Sequence, residues 1–313
     1  MKRNLGVELY RCGLMFGICL LHAIGQTGVE WHGFSSLLLW CVDGFVLITG
    51  YFGCTFKLEK VVKLYGIAAY CAFVGASLSL DDHGCLVSWY VAWWREFANY
   101  WFLHAYVGMM CFVPLINAVC EKGNARLLLP FLCLAFGWSW LASFNCTASF
   151  IPRSIGLASY SMLTLSGVYA VGRLIRVCNL AEKISLRWLV VVFVLTFSFG
   201  VTKLSQYNSP TAVCCASSVI LIVMAGTKKF RLQDVNSLKL IYFLAPLMFS
   251  VYLLQVNSVV WEKIRPMVMP VSNHGVPMVI AFLTVAAGLF VGGVVVDLPR
   301  RLFLTVVGGR RSR

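Results

Sequence analysis

Residues 276–296 read VPMVIAFLTVAAGLFVGGVVV, a run of 21 residues that contains no charged side chain. A helix of about 20 mostly apolar residues crosses the hydrocarbon core of a bilayer, which is roughly 30 Å thick. Apolar runs of this kind recur along the whole chain, separated by short polar connections. The pattern predicts a polytopic membrane protein.

Composition excludes a soluble globular protein. Of the 313 residues, 60% are hydrophobic and 12% are charged, whereas soluble domains carry about 25% charged residues. The formal net charge of +14 would suggest nucleic acid as a partner of a soluble protein. Here the basic residues lie in short clusters between apolar runs, so we expect the lipid bilayer as the partner and no nucleic acid.

The fold class predicted is all-α, a polytopic transmembrane bundle of about ten helices that forms a single domain over residues 1–313. The first apolar run lacks a cleavage site of the signal-peptide type and is interpreted as the first helix. The predicted helices cover residues 8–26, 34–55, 61–80, 100–120, 127–144, 155–172, 186–202, 208–226, 240–260 and 276–296. We expect the aromatic-rich connection 81–99 to lie in the membrane interface.

Topology follows from the Lys and Arg residues of the connections, because cytoplasmic loops hold an excess of them. With ten crossings, 21 of the 26 basic residues fall on one side. The other side holds Arg95, Arg153, Lys203, Lys263 and Arg265. The segregation predicts that both termini are cytoplasmic.

The thirteen cysteines mostly fall inside apolar runs, without the spacing of metal ligands. Cys85 and Cys146 are predicted in outside loops, where either a disulfide or two free thiols would be compatible with the sequence. The sequence predicts no metal site.

Ionisable residues within membrane spans are costly and are candidates for function. The first helix has Glu8, Arg11 and His22. Arg11 and His22 are eleven residues apart, so they lie on nearly the same helix face, about 16 Å apart along the axis. Glu8 precedes Arg11 by three residues, which is close enough for an ion pair. Asp43, in the second helix, has a depth similar to that of His22, so a contact that orients the imidazole as a base is available. The alternative is a buried pair that only joins two helices.

Other polar residues are weaker candidates. Trp101 and His104 open the fourth helix, where aromatic residues are commonly interfacial anchors. Asn208 and Tyr207 precede the eighth helix, and Asn208 is also a good helix N-cap. Tyr252 and Gln255 share one face of the ninth helix, where they would line a cavity or join helices by hydrogen bonds.

Several segments resemble the integral-membrane acyltransferase-3 family, in its exopolysaccharide and O-antigen O-acyltransferase form. Residues 7–11 (VELYR), His22 at the Arg-x10-His spacing and residues 42–52 (VDGFVLITGYF) resemble the opening of that family. The likeness continues at residues 100–103 (YWFL), 207–210 (YNSP), 249–254 (FSVYLL) and 297–303 (DLPRRLF).

The resemblance implies transfer of an acyl group, usually acetyl, from cytoplasmic acyl-coenzyme A to a hydroxyl of a surface polysaccharide or its lipid-linked precursor. The cofactor prediction is therefore none bound, with acyl-coenzyme A as a co-substrate, in the cytoplasmic membrane of a bacterium. On this hypothesis His22 is the base oriented by Asp43, and Arg11 with Glu8 binds the donor. Thr49 and Tyr51 of the second-helix motif join the residues that line the acceptor cavity.

Two positions depart from the family pattern. Thr49 stands where Ser is common and keeps the hydroxyl, whereas Gln255 stands where His is common and removes a titratable group. One rival hypothesis is a secondary transporter or flippase, although no inverted repeat is present. Another is a family member that binds glycan intermediates without chemistry, which the retained Glu8, Arg11, His22 and Asp43 disfavour.

Overall fold

The computed structural model describes residues 4–26, 37–78, 86–138, 161–200, 209–229, 239–268 and 275–311. Within these ranges the chain forms helices and short connections, and no β-strand occurs. The all-α prediction is confirmed. The helices in chain order are α1 (Leu5–Gln26), α2 (Trp40–Phe52), α3 (Leu58–Ser77), α4 (Leu86–Ala98), α5 (Trp101–Glu121), α6 (Leu128–Leu132), α7 (Met162–Val177), α8 (Leu180–Lys183), α9 (Leu186–Phe199), α10 (Pro210–Lys229), α11 (Lys239–Leu244), α12 (Met248–Gln255), α13 (Ser258–Val268) and α14 (Gly275–Arg311).

Length and hydropathy make several of these helices able to cross a membrane. Four qualify within the described ranges, over Leu5–Gln26, Trp101–Glu121, Pro210–Thr227 and Pro277–Phe303, and the bent pair Lys239–Gln255 and Ser258–Val268 would add a fifth. Shorter apolar helices cover Trp40–Phe52, Leu128–Gly137 and Leu186–Phe199. Each of the ten predicted segments contains helix, and the chain is a multi-pass membrane protein, although over the described parts of these segments not every helix reaches spanning length.

The predicted ninth helix over residues 240–260 is wrong as a continuous element. The chain bends by 77° between Gln255 and Ser258. The buried Asn257 lies at the bend, and its Oδ1 accepts the main-chain N–H groups of Val259 at 3.1 Å and Val260 at 3.3 Å. Asn257 therefore acts as an N-cap that begins a new helix.

A buried carboxylate also stabilises this bend. Glu96 of α4 is 0% exposed and accepts the main-chain N–H of Ser258 at 2.9 Å and the Ser258 hydroxyl. A carboxylate at the first turn of a helix satisfies free N–H groups and is favoured by the helix dipole. The connection predicted to be interfacial thus contains a helix, α4, which caps α13.

Two compact units divide the chain. The first consists of Met1–Leu14, Trp31–Val61 and Trp101–Leu238, and the second of Met15–Glu30, Val62–Tyr100 and Lys239–Arg313.

In the first unit α2 packs most extensively against α7. Glycines make this packing close: a Cβ on Gly50 would lie 3.1 Å from the Cα of Gly172, and one on Gly172 would lie 2.9 Å from the main-chain nitrogen of Tyr51. Small residues at a helix crossing let two backbones approach in this way. The contact fixes α2, which carries Asp43 and Thr49, against α7.

In the second unit α12 packs against α14. A Cβ on Gly293 would lie 2.9 Å from Val251 Cγ2, so this crossing is also close. At the end of the apolar run Arg300 donates to Asp297 at 2.9 Å, and the Asp297 carboxylate is buried. The helix does not stop at the predicted residue 296 but continues to Arg311.

Candidate functional site

The predicted Glu8–Arg11 pair is present near the start of α1. An Arg11 guanidinium nitrogen lies 2.8 Å from a Glu8 carboxylate oxygen, and the Glu8 side chain is 8% exposed. Asn4 caps the helix, since its Oδ1 accepts the main-chain N–H of Gly6 at 3.0 Å. Glu8 follows in the first turn, where the helix dipole favours a carboxylate. Arg11 is therefore held in place, with 28% of its side chain exposed.

Asp43 is 1% exposed in α2. Tyr10 and Cys215 of the same unit are close enough to interact electrostatically with its carboxylate. The Tyr10 hydroxyl itself donates to the main-chain oxygen of Ala216 at 3.3 Å. A buried carboxylate in an apolar helix carries a large desolvation cost, which makes Asp43 a candidate for function.

Thr49 lies on α2 next to Tyr106 of α5. Its hydroxyl donates to the main-chain oxygen of Phe45 at 3.1 Å and is 3.3 Å from the Tyr106 hydroxyl. Arg11 interacts electrostatically with the same Tyr106. The structure thus places the Thr49 hydroxyl against Tyr106, within electrostatic range of Arg11, an arrangement that the sequence did not predict.

After Thr49 the chain leaves α2 through a turn whose main chain is hydrogen-bonded by side chains of α5 and α7. The Tyr169 hydroxyl accepts the main-chain N–H of Cys54 at 3.1 Å and donates to Asn117 Oδ1 at 2.9 Å. Asn117 Nδ2 in turn donates to the Cys54 carbonyl at 3.0 Å. This closed set of hydrogen bonds fixes the turn that follows Tyr51 and Gly53.

Two arginines of α7 adjoin that turn. Arg176 donates to the Tyr51 hydroxyl at 3.2 Å and lies 5.4 Å from the centroid of the Tyr51 ring. Arg173 lies against Gly53 and forms an ion pair of 3.7 Å with Glu121. In the sequence both arginines are among the basic residues that predict the cytoplasmic side, and their spacing of three at the end of an apolar helix is the further signal that they share one helix face.

In the second unit His22 adjoins the bend between α12 and α13. Its ring hydrogen-bonds to the main chain of Gln255. The Gln255 carbonyl, at the C-terminal end of α12, also accepts Trp261 Nε1 at 2.6 Å. A ring nitrogen that donates to a carbonyl leaves the other nitrogen of a neutral imidazole as an acceptor. The arrangement therefore leaves one ring nitrogen of His22 able to accept a hydrogen bond.

The side chain of Gln255 lies at the same bend and is 0% exposed. Its Nε2 donates to the Met15 sulfur at 3.4 Å, which is a weak acceptor. Its Oε1 has no hydrogen-bond partner among the described residues. Tyr252, on the same helix, is buried and stacks on Phe249 with ring centroids 6.3 Å apart. Gln255 thus retains hydrogen-bonding capacity beside His22.

The remaining predicted residues are less informative. Trp101 and His104 are half-buried in the first turn of α5, and Trp101 packs edge-to-face on Phe102 with centroids 5.7 Å apart. Tyr207 and Asn208 lie outside the described residues, as do Cys85 and Cys146. The pairing of His22 with Asp43 stays a prediction, because His22 belongs to the second unit and Asp43 to the first.

One comparison with known proteins matches nearly the whole chain. The family model for an acyltransferase domain of the acyltransferase-3 type matches residues 4–297. The searches of curated proteins and of solved structures found no match. The matched region contains every candidate residue described above.

Proposed function

The chain belongs to the acyltransferase-3 family, and on this basis we propose that it transfers an acyl group, most readily acetyl, from acyl-coenzyme A to a sugar hydroxyl. The acceptor is a cell-surface polysaccharide or its lipid-linked precursor, and the membrane is the inner membrane of a bacterium. The observation that carries the proposal, beside the family match, is the hydrogen bond between His22 and the Gln255 main chain. It leaves one imidazole nitrogen free to accept a proton.

The proposed reaction uses His22 as the general base and the acyl thioester of the donor as the electrophile. His22 accepts the proton of the sugar hydroxyl while the hydroxyl oxygen attacks the thioester carbonyl carbon. The carbon–oxygen bond of the new ester forms and the carbon–sulfur bond breaks. Coenzyme A leaves as a thiolate and takes the proton from the imidazolium. The Gln255 carbonyl stabilises that imidazolium by accepting its N–H.

Arg11 would contribute by binding the donor. Its ion pair with Glu8 fixes the guanidinium, and eleven residues of helix separate it from His22 by about 16 Å along the axis. That separation is suited to an extended pantetheine arm between a bound phosphate and the thioester. Asp43 is proposed to orient His22 by sharing the ring N–H that the Gln255 carbonyl accepts, so that the other ring nitrogen stays available as the base. A covalent acyl-His22 intermediate is the alternative course of the same transfer.

The test is transfer of labelled acetyl from acetyl-coenzyme A to lipid-linked or polymeric glycan in membranes that contain the protein. His22→Ala should reduce transfer at least a hundredfold, since general base catalysis contributes about 10²–10⁴-fold. His83→Ala is the matched control, because it removes a histidine of a predicted outside loop. Full activity of His22→Ala would refute both the base and the acyl-His22 variants.

One observation favours the rival hypothesis of transport. The bent pair Lys239–Gln255 and Ser258–Val268 resembles the discontinuous helices that form substrate sites in transporters. Uptake of the glycan into proteoliposomes without acyl-coenzyme A would support transport. Label transfer that depends on acyl-coenzyme A and on His22 would exclude it as the principal activity.

A further inference from the structure

The two arginines at the end of α7 form a cationic cluster with the turn after α2. We define this cluster, the arginine cradle, as Arg173, Arg176, Tyr51, Gly53 and Cys54. We propose that the arginine cradle binds a phosphate group, and that the phosphate belongs to the acyl-coenzyme A donor. The inference rests on the proposed function for the identity of the donor, but the phosphate site itself does not depend on it.

The burial of Arg173 is the main argument. Its side chain is 13% exposed, and its Nε has no hydrogen-bond partner among the described residues. Its ion pair with Glu121 is long, at 3.7 Å, and the Glu121 side chain is 69% exposed. A guanidinium removed from water requires a well-placed anion to offset the lost hydration. Glu121 supplies little of this, so the cradle has unused capacity for an anion.

The local backbone is shaped around the Arg173 guanidinium. Gly53 has a φ of 74°, a left-handed conformation that favours glycine. A Cβ there would lie 2.9 Å from an Arg173 guanidinium nitrogen, so any larger residue would displace the arginine. The hydrogen bonds of Tyr169 and Asn117 to Cys54 hold this turn in place. The turn against which the guanidinium lies is therefore fixed by hydrogen bonds.

Two guanidinium groups on one face of α7 are suited to binding a phosphate. Arg173 and Arg176 are three residues apart, a spacing that places side chains next to each other on a helix. Arg176 is oriented by its contacts with Tyr51. Guanidinium groups bind phosphate oxygens through paired hydrogen bonds, and two forks can serve one phosphate or a pyrophosphate.

The surrounding charge supports an anionic ligand. Lys60 and Arg173 both lie within electrostatic range of Cys54, so a further positive charge is near the cradle. The Lys60 ammonium contacts the carbonyl of Thr55 at 3.3 Å and is exposed. Arginines that serve topology alone need only be near the membrane surface, as the exposed Arg187 is. The burial of Arg173 goes beyond that requirement.

The first experiment measures binding of free coenzyme A by the full-length protein in phosphatidylcholine nanodiscs, using isothermal titration. Arg173→Gln and Arg176→Gln should each raise the Kd by about ten- to a hundredfold, which is the expected loss for charge-assisted hydrogen bonds. Arg187→Gln removes the same charge from an exposed site and should leave the Kd unchanged. Arg176 is exposed, so we expect Arg176→Gln to fold normally. It therefore tests the site even where Arg173→Gln misfolds.

A second arm separates the donor from lipid as the source of the phosphate. Phosphatidylglycerol retained by the purified protein is measured by mass spectrometry for the same variants. Reduced lipid retention with an unchanged Kd for coenzyme A would overturn the donor assignment in favour of a lipid headgroup. Unchanged Kd and unchanged lipid retention in both variants would overturn the phosphate site. A wild type that binds coenzyme A through Arg173 but transfers no acyl group would contradict the proposed function and support the site.

Discussion

The close crossing of α2 and α7 predicts that Gly50→Ala destabilises the protein. A Cβ at Gly50 would overlap the main-chain oxygen of Tyr169 and approach the Gly172 Cα at 3.1 Å. Both are backbone atoms, so no side-chain rotation relieves the contact. The two helices would have to separate by about an ångström, since protein interiors have no spare volume to absorb the group.

The magnitude follows from two opposed terms. Overpacking costs typically about 1–3 kcal/mol, whereas replacing glycine by alanine within a helix gains about 0.5–1 kcal/mol. With the middle of each range, the net loss in the free energy of unfolding is about 1 kcal/mol. Gly226→Ala in α10 is the matched control, because a Cβ there meets nothing within 4 Å. It should stabilise the protein slightly.

The assay is equilibrium unfolding of the purified variants by SDS in mixed micelles, followed by circular dichroism. Gly172→Ala disturbs the same crossing, so the double variant should lose less than the sum of the two single losses. Gly50→Ala with a stability equal to or above that of wild type would refute the close crossing. An additive double variant would place the two glycines in separate contacts.

Two further predictions concern groups beside the proposed reaction. Gln255→Leu should lower the rate of transfer by about two- to tenfold, the value of one neutral hydrogen bond, whereas Gln255→His should retain more activity; equal rates for wild type and Gln255→Leu would remove Gln255 from the site. Burial raises the pKa of the Cys54 thiol, an effect that Tyr169, Lys60 and Arg173 partly offset. Because only the thiolate reacts, alkylation of Cys54 in the folded protein should reach its plateau at a higher pH than in the unfolded protein, as measured by peptide mass spectrometry; coinciding profiles would contradict the burial of this thiol.

The fold was predictable to the extent that hydropathy determines it. Apolar runs indicated where helices occur, because every backbone polar group in a bilayer must be paired within the chain. The bend between α12 and α13 was not predictable in this way. Within residues 240–260 the polar residues at the bend, Gln255, Asn257 and Ser258, are too few to end an apolar run, and the group that caps the new helix, Glu96, is distant in sequence. Hydropathy contains no information about a contact between such distant residues.

The candidate site was predictable where its contacts are local. Glu8 and Arg11 are three residues apart on one helix, so their ion pair follows from helical geometry. The arginine cradle depends instead on the turn at Gly53, which Tyr169 and Asn117 hold from two other helices. In the sequence Arg173 resembles any basic residue at the end of a span. Only the fold distinguishes its side chain, which is 13% exposed, from the exposed side chain of Arg187.

The substitution of glutamine for the histidine that is common in the family is compatible with chemistry at His22. A second imidazole at position 255 would add a group that can itself become charged beside His22, and two imidazolium ions in a site of low polarity would repel each other. The neutral Gln255 amide cannot do so, and its main-chain carbonyl accepts a hydrogen bond from the His22 ring. The same carbonyl is available because α12 ends at the bend, where the last carbonyls of a helix lack helical partners. The bend and the glutamine therefore support one titratable base without a second charge, which favours the enzyme over a protein that only binds glycans.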